Sequence, residues 1–145
     1  MMFSKSFGYA VRAVMYITLQ QTTKRNVQAE EIASVLGVPR HFVSKILKRL
    51  VKEKVLSSVK GPSGGFTVND HTSATPLTRI FEITGDIGVF ETCALRFNKC
   101  NSVNPCPAHF QIEKIRSELG EFLSDNTISS LTIGDRKQLL KGISS

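Results

Sequence analysis

Residues 27–56, VQAEEIASVLGVPRHFVSKILKRLVKEKVL, hold the pattern that decides the fold. Apolar residues recur there at helical spacing and form the inner face of a first short helix: Ala29, Ile32, Ala33 and Leu36. Gly37 can take the positive φ that ends such a helix, and Pro39 suits the first turn of the next one. Two helices separated by a turn of about three residues that contains glycine form a helix-turn-helix.

The second helix of this pair has one apolar side and one basic side. Its apolar residues fall at i, i+3, i+4 and i+7 and are expected to face the core: Val43, Ile46, Leu47 and Leu50. The other side is polar and almost wholly basic: Arg40, His41, Ser44, Lys45, Lys48, Arg49 and Lys52. Such a face repels itself unless phosphates lie beside it, so the pattern predicts a helix that contacts nucleic acid.

A β-hairpin is predicted directly after the second helix. Two short apolar-polar alternations, LSSV at 56–59 and FTVN at 66–69, flank the glycine-rich KGPSGG. After a helix-turn-helix, such a hairpin is the wing of a winged helix, and we expect Lys60 at its base and Gly64 and Gly65 at its tip to lie near DNA. A nucleotide-binding phosphate loop is a weaker alternative, because the strand, Lys and Ser/Thr of that motif are missing.

The net charge of +7 lies entirely in the N-terminal half of the 145-residue chain. Residues 1–75 carry eleven Lys or Arg against four Asp or Glu, whereas residues 76–145 carry eight of each. This asymmetry favours a polyanionic partner for the first half, nucleic acid before an acidic membrane surface, although an idle basic surface is also compatible with it. The longest apolar run, 7–19, contains Arg12 and is too short to cross a bilayer, so we expect a cytoplasmic protein without a membrane partner.

Helices are also predicted on either side of the helix pair and wing. An apolar stripe predicts a helix from Phe7 to Gln21, and the polar QQTTKRN at 20–26 predicts a loop. Further along, Thr75 as cap and Pro76 in the first turn open another helix. Near the C-terminus Thr132 as cap, with Asp135 three residues on, opens a short final helix.

A long helix is predicted from 108 to about 123. It carries a coiled-coil-like seam of apolar residues spaced three, four and three apart: Ile112, Ile115, Leu119 and Phe122. This seam could pack on the chain's own core. Because the basic half needs a two-fold partner to read DNA, we instead favour a homodimer through this helix. We expect a DNA-binding domain over 1–75, whose first helix also supports the dimer interface, and a domain with the cysteine loop and dimerisation helices over 76–145.

All three cysteines of the chain lie in 93–107, a stretch with no usable helical or strand period. Together with one histidine they have the spacing C-x6-C-x5-C-x2-H: Cys93, Cys100, Cys106 and His109. This spacing is too wide for the C-x2-C knuckle of zinc ribbons, whereas three thiolates and an imidazole suit an iron-sulfur cluster or, less well, a zinc ion. Unliganded thiols and a redox pair that closes a disulfide stay open as alternatives.

Nearly the whole chain resembles the Rrf-two family of winged helix-turn-helix transcription regulators, which has IscR-like and NsrR-like members. The resemblance is carried by YAVRAVMYI in the first helix, by EEIASVLGVPRHFVSKILKRLVKEKVLSSVKGPSGGF, and by the three-cysteine loop before a long helix. The string LSSVKGPSGGF is its most specific piece. The resemblance implies a mainly α fold with a small β-hairpin, in which a winged helix-turn-helix DNA-binding domain is followed by a long C-terminal dimerisation helix.

The resemblance also implies a cofactor. In the family a 2Fe-2S or 4Fe-4S cluster is held by the three cysteines, and we favour 2Fe-2S here. In IscR-like members a histidine three residues after the third cysteine completes the ligation, and His109 matches that position. In NsrR-like members an aspartate near the start of the first helix of the partner subunit does so, but Gly8 stands there in this chain. Some members have lost their cysteines, so the same fold acting as a thiol, zinc or cluster-free regulator is the alternative.

The expected activity is sequence-specific binding of double-stranded DNA. Two recognition helices related by a two-fold axis would enter successive major grooves about 34 Å apart, so the operator should be a rough palindrome. We assign base edges to Arg40, His41, Ser44 and Lys45, and phosphates to Lys48, Arg49, Lys52 and Lys60. An enzyme with a cysteine nucleophile is the alternative from another class, but no second histidine or carboxylate is placed by motif to activate a thiolate.

Overall fold

The computed structural model describes residues 3–21 and 25–144. These ranges contain seven α-helices: α1 Lys5–Gln20, α2 Ala29–Leu36, α3 Arg40–Lys52, α4 Leu77–Ile83, α5 His109–Asp125, α6 Ile128–Leu131 and α7 Arg136–Ile143. Strands β1 Ser57–Val59 and β2 Gly65–Thr67 form a hairpin between α3 and α4, and a 3₁₀ helix, Asp86–Phe90, follows α4. The mainly α fold with one small hairpin is therefore confirmed.

Helix α1 packs against the helix pair and against α4, α6 and α7. It begins at Lys5, before the predicted start at Phe7, because the Ser4 hydroxyl caps it by accepting a hydrogen bond from the Phe7 N–H at 3.1 Å. At its other end Gln20 is still helical, so the predicted loop over 20–26 begins later than expected. Residues 22–24 of that loop lie outside the described residues.

The predicted helix-turn-helix is present. Gly37 ends α2 with a φ of 67°, in the left-handed region that favours glycine, and α3 follows directly after Pro39. On the inner side of α3, Val43, Leu47 and Leu50 are buried. Burial of this side turns the basic side of α3 outward.

The hairpin has a third backbone segment that the sequence pattern does not indicate. Strands β1 and β2 are antiparallel, with Ser58 opposite Phe66. Val27, just before α2, forms a bridge with Phe66: each N–H donates to the other's carbonyl, at 2.9 and 2.7 Å. A single bridge leaves no alternation in the sequence, which is why residue-type periodicity misses it.

Two predicted helix caps are wrong. The Thr75 hydroxyl donates to the His71 carbonyl at 2.9 Å instead of capping α4, whose first residue follows Pro76 without a side-chain cap. Thr132 lies at the C-terminal end of α6 instead of opening the final helix. Asp135 alone caps α7, accepting from the Gln138 N–H at 2.9 Å. The reason is that α6, with Thr127 and Thr132 as its two caps, already occupies this stretch.

One hydrophobic core extends through both halves of the described chain. Phe81 of α4 lies at its centre, with ring centroids 5.4 to 6.0 Å from those of Phe3, Phe7 and Phe90. The C-terminal half of α5 completes this core with Leu123, whereas Phe110, near the start of α5, is 61% exposed. The cysteine loop is therefore attached to the end of α5 that lies away from the core.

Candidate nucleic-acid interface and metal centre

A groove runs between α3 and the wing, and we call it the reading groove. Its lining residues come from α3, the wing tip and the start of α2: Arg40, His41, Ser44, Lys45, Lys48, Gly61, Pro62, Gly64, Gly65, Phe66, Gln28, Ala29 and Glu30. All four predicted base-edge residues and Lys48 are thus brought together. Lys52 and Lys60 are exposed but lie outside this lining.

Two polar side chains that sequence reasoning missed hold the tip of the wing. The Asn26 amide donates to the Ser63 carbonyl at 3.3 Å, and the Gln28 amide donates to the Pro62 carbonyl at 3.2 Å. With the Val27 bridge between them, these bonds fasten the wing to the segment that leads into α2. They leave no signal in the sequence, because a side chain that bonds a distant carbonyl places no demand on the partner's residue type.

The predicted DNA-facing glycines Gly64 and Gly65 are required by the close approach of the backbone. A Cβ on Gly64 would lie 2.0 Å from the Val59 carbonyl oxygen, and one on Gly65 would lie 2.6 Å from that of Val27. Gly65 also has a φ of 137°, which favours glycine. Gly64 is buried, whereas Gly61, Pro62 and Ser63 are exposed. The exposed tip therefore consists of 61–63, closed underneath by the two glycines.

Arg40 forms an ion pair with Glu30, another residue that lines the reading groove. Its Nε lies 2.8 Å from Oε1 of Glu30, and both side chains are more than half exposed. Exposed ion pairs of this kind contribute about 0–1 kcal/mol to stability. The pair therefore contributes little to the stability of the fold.

Arg49, predicted to hold a phosphate, is bonded within the chain. Its guanidinium donates to the carbonyl of Ile83, the last residue of α4. A second link between the same elements joins Arg79 of α4 to Glu53, which follows α3. The C-terminal end of α3 is thereby tied to α4, and the 3₁₀ helix that follows α4 leads to the cysteine loop.

The three cysteine sulfur atoms converge, all lying within 4.8 Å of one another. The Sγ atoms of Cys93 and Cys106 are 3.7 Å apart, and the Cys106 N–H donates to Cys100 Sγ at 3.4 Å. Cys106 is buried, whereas Cys93 and Cys100 are half-buried. Together with Glu91, His109 and Arg116, the thiols line a cavity of about 50 Å³.

Hydrogen bonding gives the thiols different acidities. The backbone N–H of Phe97, followed by that of Leu95 and by the neighbouring cysteines, lowers the pKa of Cys93 to about 7 despite some loss of hydration. For Cys100 the Cys106 N–H favours the thiolate. Loss of hydration and the neighbouring thiols Cys106 and Cys93 outweigh this bond and raise the pKa of Cys100.

His109, the first residue of α5, lines the same cavity but is not part of the group of three sulfur atoms that lie within 4.8 Å of one another. Its Nδ1 lies 3.3 Å from Cys100 Sγ. Its Nε2 is buried and makes no hydrogen bond within the described part of the chain, with the nearest carboxylate oxygen, on Glu113, at 3.9 Å. The ring as a whole is half-buried, and the nitrogen that lies beside a thiol is Nδ1, whereas the unsatisfied nitrogen is Nε2.

The donor set fits a thiophilic metal. Three thiols and an imidazole are ligand types of both iron-sulfur clusters and zinc. A tetrahedral ion with metal–sulfur bonds of about 2.3 Å separates its sulfur ligands by about 3.8 Å, close to the 3.7 Å between Cys93 and Cys106. The spacing of Cys93 and Cys106 is thus that of two ligands on one metal atom.

The predicted apolar seam of α5 is divided between the protein surface and the chain's own core. Ile115 and Phe122 are 49% and 45% exposed, and Ile112 is half-buried. Leu119 is buried in the chain's own core, as is Leu123, which the predicted seam omits. None of the helices in the described ranges is long and apolar enough to span a membrane.

Comparison with known proteins gives a consistent result. The family model described as Rrf2, iron-dependent transcriptional regulator, matches residues 3–133. A protein of Aquifex aeolicus named as an HTH-type transcriptional regulator is 36% identical over 141 residues, covering 96% of each chain. The HTH-type transcriptional regulator IscR of Sodalis glossinidius is 24% identical over 123 residues, which are 85% of this chain and 73% of that protein.

The fold has solved counterparts as well. The structure of CymR, the global cysteine regulator of B. subtilis, superimposes with a TM-score of 0.71 at 15% identity, covering 90% of this chain and 95% of that one. The family and the relatives are transcription regulators, so the chain is not an enzyme. By the match over 3–133 and the likeness to the Aquifex protein, it belongs to the Rrf2 family of winged-helix transcriptional regulators.

Proposed function

We propose that this chain is a homodimeric, sequence-specific DNA-binding regulator whose DNA affinity is controlled by an iron-sulfur cluster on the cysteine loop. The observation that carries the proposal is the convergence of three thiols, with Nδ1 of His109 3.3 Å from the sulfur of Cys100. The iron dependence in the family's description and the likeness to IscR support iron as the metal. On this proposal residues 1–75 read DNA and residues 76–145 hold the cluster and the dimer contact.

The ligands we propose are the sulfur atoms of Cys93, Cys100 and Cys106 and a ring nitrogen of His109. Of the two cluster types that the family resemblance implies, we propose 2Fe-2S, with 4Fe-4S as the second choice; both take cysteine thiolates as ligands. When bound, the cluster would supply a group whose presence and charge respond to iron supply and oxidants. The chain's own contribution is to hold the thiols together and to connect their loop to α3 through α4 and Arg49.

The partner surfaces follow from exposure and charge. Ile112, Ile115 and Phe122 leave apolar surface along α5, which a second copy of the chain would cover. The two recognition helices of such a dimer would lie about 34 Å apart, and the preferred operator would be a palindrome of double-stranded DNA.

Purification without oxygen tests the cofactor. The proposal predicts coloured protein that contains iron and acid-labile sulfide, and loss of both in the Cys106→Ser variant. Lys114→Glu, an exposed change on α5 outside the cavity, should leave iron and sulfide unchanged. Protein that contains neither would rule out the cluster.

A single metal ion is the second candidate, favoured by the spacing of the sulfur atoms. Ligands on the two different irons of a cluster must lie farther apart than ligands on one metal atom, whereas all three thiols lie within 4.8 Å of one another. Colourless protein with about one zinc per chain would establish this alternative. Colourless, metal-free protein would leave a thiol regulator.

A further inference from the structure

The reading groove contains an acidic residue that its expected ligand disfavours. Among the described residues that line the groove, Glu30 alone is acidic. A carboxylate in a surface that lies against phosphates lowers affinity for every DNA sequence. Its presence in the groove therefore calls for a compensating role.

Stabilisation of α2 does not require an acid at this position. Glutamate in the first turn favours a helix, but Glu31 occupies the same turn and lies outside the groove, where it pairs with Arg25 at 2.7 Å. What distinguishes Glu30 is its contact with Arg40, the first residue of α3, at 2.8 Å. N-terminal residues of a recognition helix are those that reach base edges.

The contact engages one edge of the Arg40 guanidinium. Glu30 Oε1 lies against Nε, and Arg40 has no other ion pair in the described part of the chain. The terminal nitrogens Nη1 and Nη2 together form the fork that arginine uses to bind O6 and N7 of guanine in the major groove. A side chain held at Nε loses less rotational freedom when that fork engages its target.

We propose that Glu30 is a specificity-determining residue, which positions Arg40 so that its terminal nitrogens read one guanine in each half of the operator. The proposal rests on sequence-specific DNA binding and is independent of the cysteine site. Glu30 acts through Arg40 and makes no base contact of its own.

Selection from a randomised double-stranded DNA library, followed by anisotropy titrations at one salt concentration, tests this assignment. The wild-type chain should enrich a sequence that contains one guanine per half-site whose replacement weakens binding roughly tenfold. Arg40→Ala and Arg40→Lys should abolish the preference at that base pair. Glu30→Ala should weaken the preference at the same base pair severalfold, and the double variant should be no worse than Arg40→Ala.

The controls separate charge from specificity. Asp70→Ala removes one exposed negative charge outside the groove and should leave the base preference unchanged. If Glu30→Ala changes affinity for all duplexes by one factor, Glu30 acts only through its charge, and the proposal is wrong. Effects at a different base pair, or effects that add to those of Arg40→Ala, would mean that Glu30 reads a base itself and would equally overturn it. A wild-type chain that enriches no sequence would overturn this proposal together with sequence-specific binding.

Discussion

Cys93 is the thiol whose surroundings most clearly prepare it for ligation. The N–H of Phe97 and that of Leu95 direct donors at its sulfur and lower its pKa to about 7. A lowered pKa means that the thiolate, which is the form that binds metal, dominates above pH 7 and is lost as the pH falls below it. The pKa of Cys100 is raised, so the Cys100 thiol is still protonated near pH 7, where Cys93 begins to form the thiolate.

This difference predicts distinct pH profiles of alkylation in reduced, metal-free protein. Cys93 should react with iodoacetamide with a midpoint near pH 7, and Cys100 with a midpoint well above it. Mass spectrometry of the alkylated peptides measures both profiles in one sample. Coincident profiles would contradict the account of the backbone donors around Cys93.

The sequence predicts the residues of the two candidate sites, but not the hydrogen bonds that hold the surrounding elements in place. The basic side of α3 and the cluster of cysteines could be found because each requires several residues of one chemical type close together in the sequence. The bonds from Asn26 and Gln28 to the wing, and from Arg49 to Ile83, join residues 34 to 37 positions apart, and their acceptors are backbone carbonyls. Every residue has such a carbonyl, so no pattern of residue types reveals these contacts.

At the scale of elements, the wing depends on glycine where its strands come closest. Gly64→Ala would drive a methyl group into the Val59 carbonyl, so it should lower the free energy of unfolding by about 1–3 kcal/mol and weaken DNA binding. Thermal denaturation and anisotropy measure the two effects. Ser63→Ala, at the exposed tip, is the matched control and should change stability little. Equal stability of the two variants would contradict the described approach of the strands.

We expect the basic residues of α3 to divide between DNA contacts and contacts that support the fold. Lys48→Ala should weaken binding to all DNA and lower the slope of log affinity against log salt by about 1, because one phosphate contact is lost. Arg49→Ala should change that slope much less, because Arg49 is bonded to Ile83, and should instead lower thermal stability. Titrations at several salt concentrations separate the two. Equal slopes would show that Arg49 leaves Ile83 to bind a phosphate.

At the scale of the whole molecule, we propose assembly into a homodimer through the exposed apolar side of α5. Ile115→Glu places a charge on the exposed apolar side of α5 and should convert the dimer to monomers, which bind a half-site only weakly. Analytical ultracentrifugation measures the change in mass. Lys114→Glu, on the same helix but off the predicted seam, should remain dimeric. A dimeric Ile115→Glu variant would move the interface to another surface.

The sequence predicts the helices and strands of the N-terminal half more accurately than those of the C-terminal half, for a physical reason. Helix pairs and a glycine-rich hairpin are local structures, so residues 27–69 could be assigned from periodicity and turn chemistry. The placement of α6 and α7 depends on packing against α1. The two wrong caps have a local cause: the hydroxyls of Thr75 and Thr132 donate to carbonyls four residues earlier, His71 and Ile128, at 2.9 Å each. Side-chain oxygens near a helix end are candidates for capping, but the residue type alone does not say which backbone group they bond.

The central claim is that the cysteine loop controls DNA binding. The most direct test is the affinity of one operator for iron-loaded wild-type protein, for the same protein after removal of iron, and for Cys106→Ser, all at one salt concentration without oxygen. The account predicts that the iron-free wild type and Cys106→Ser bind alike and differ from the loaded protein by about tenfold. Equal affinity of all three would contradict it.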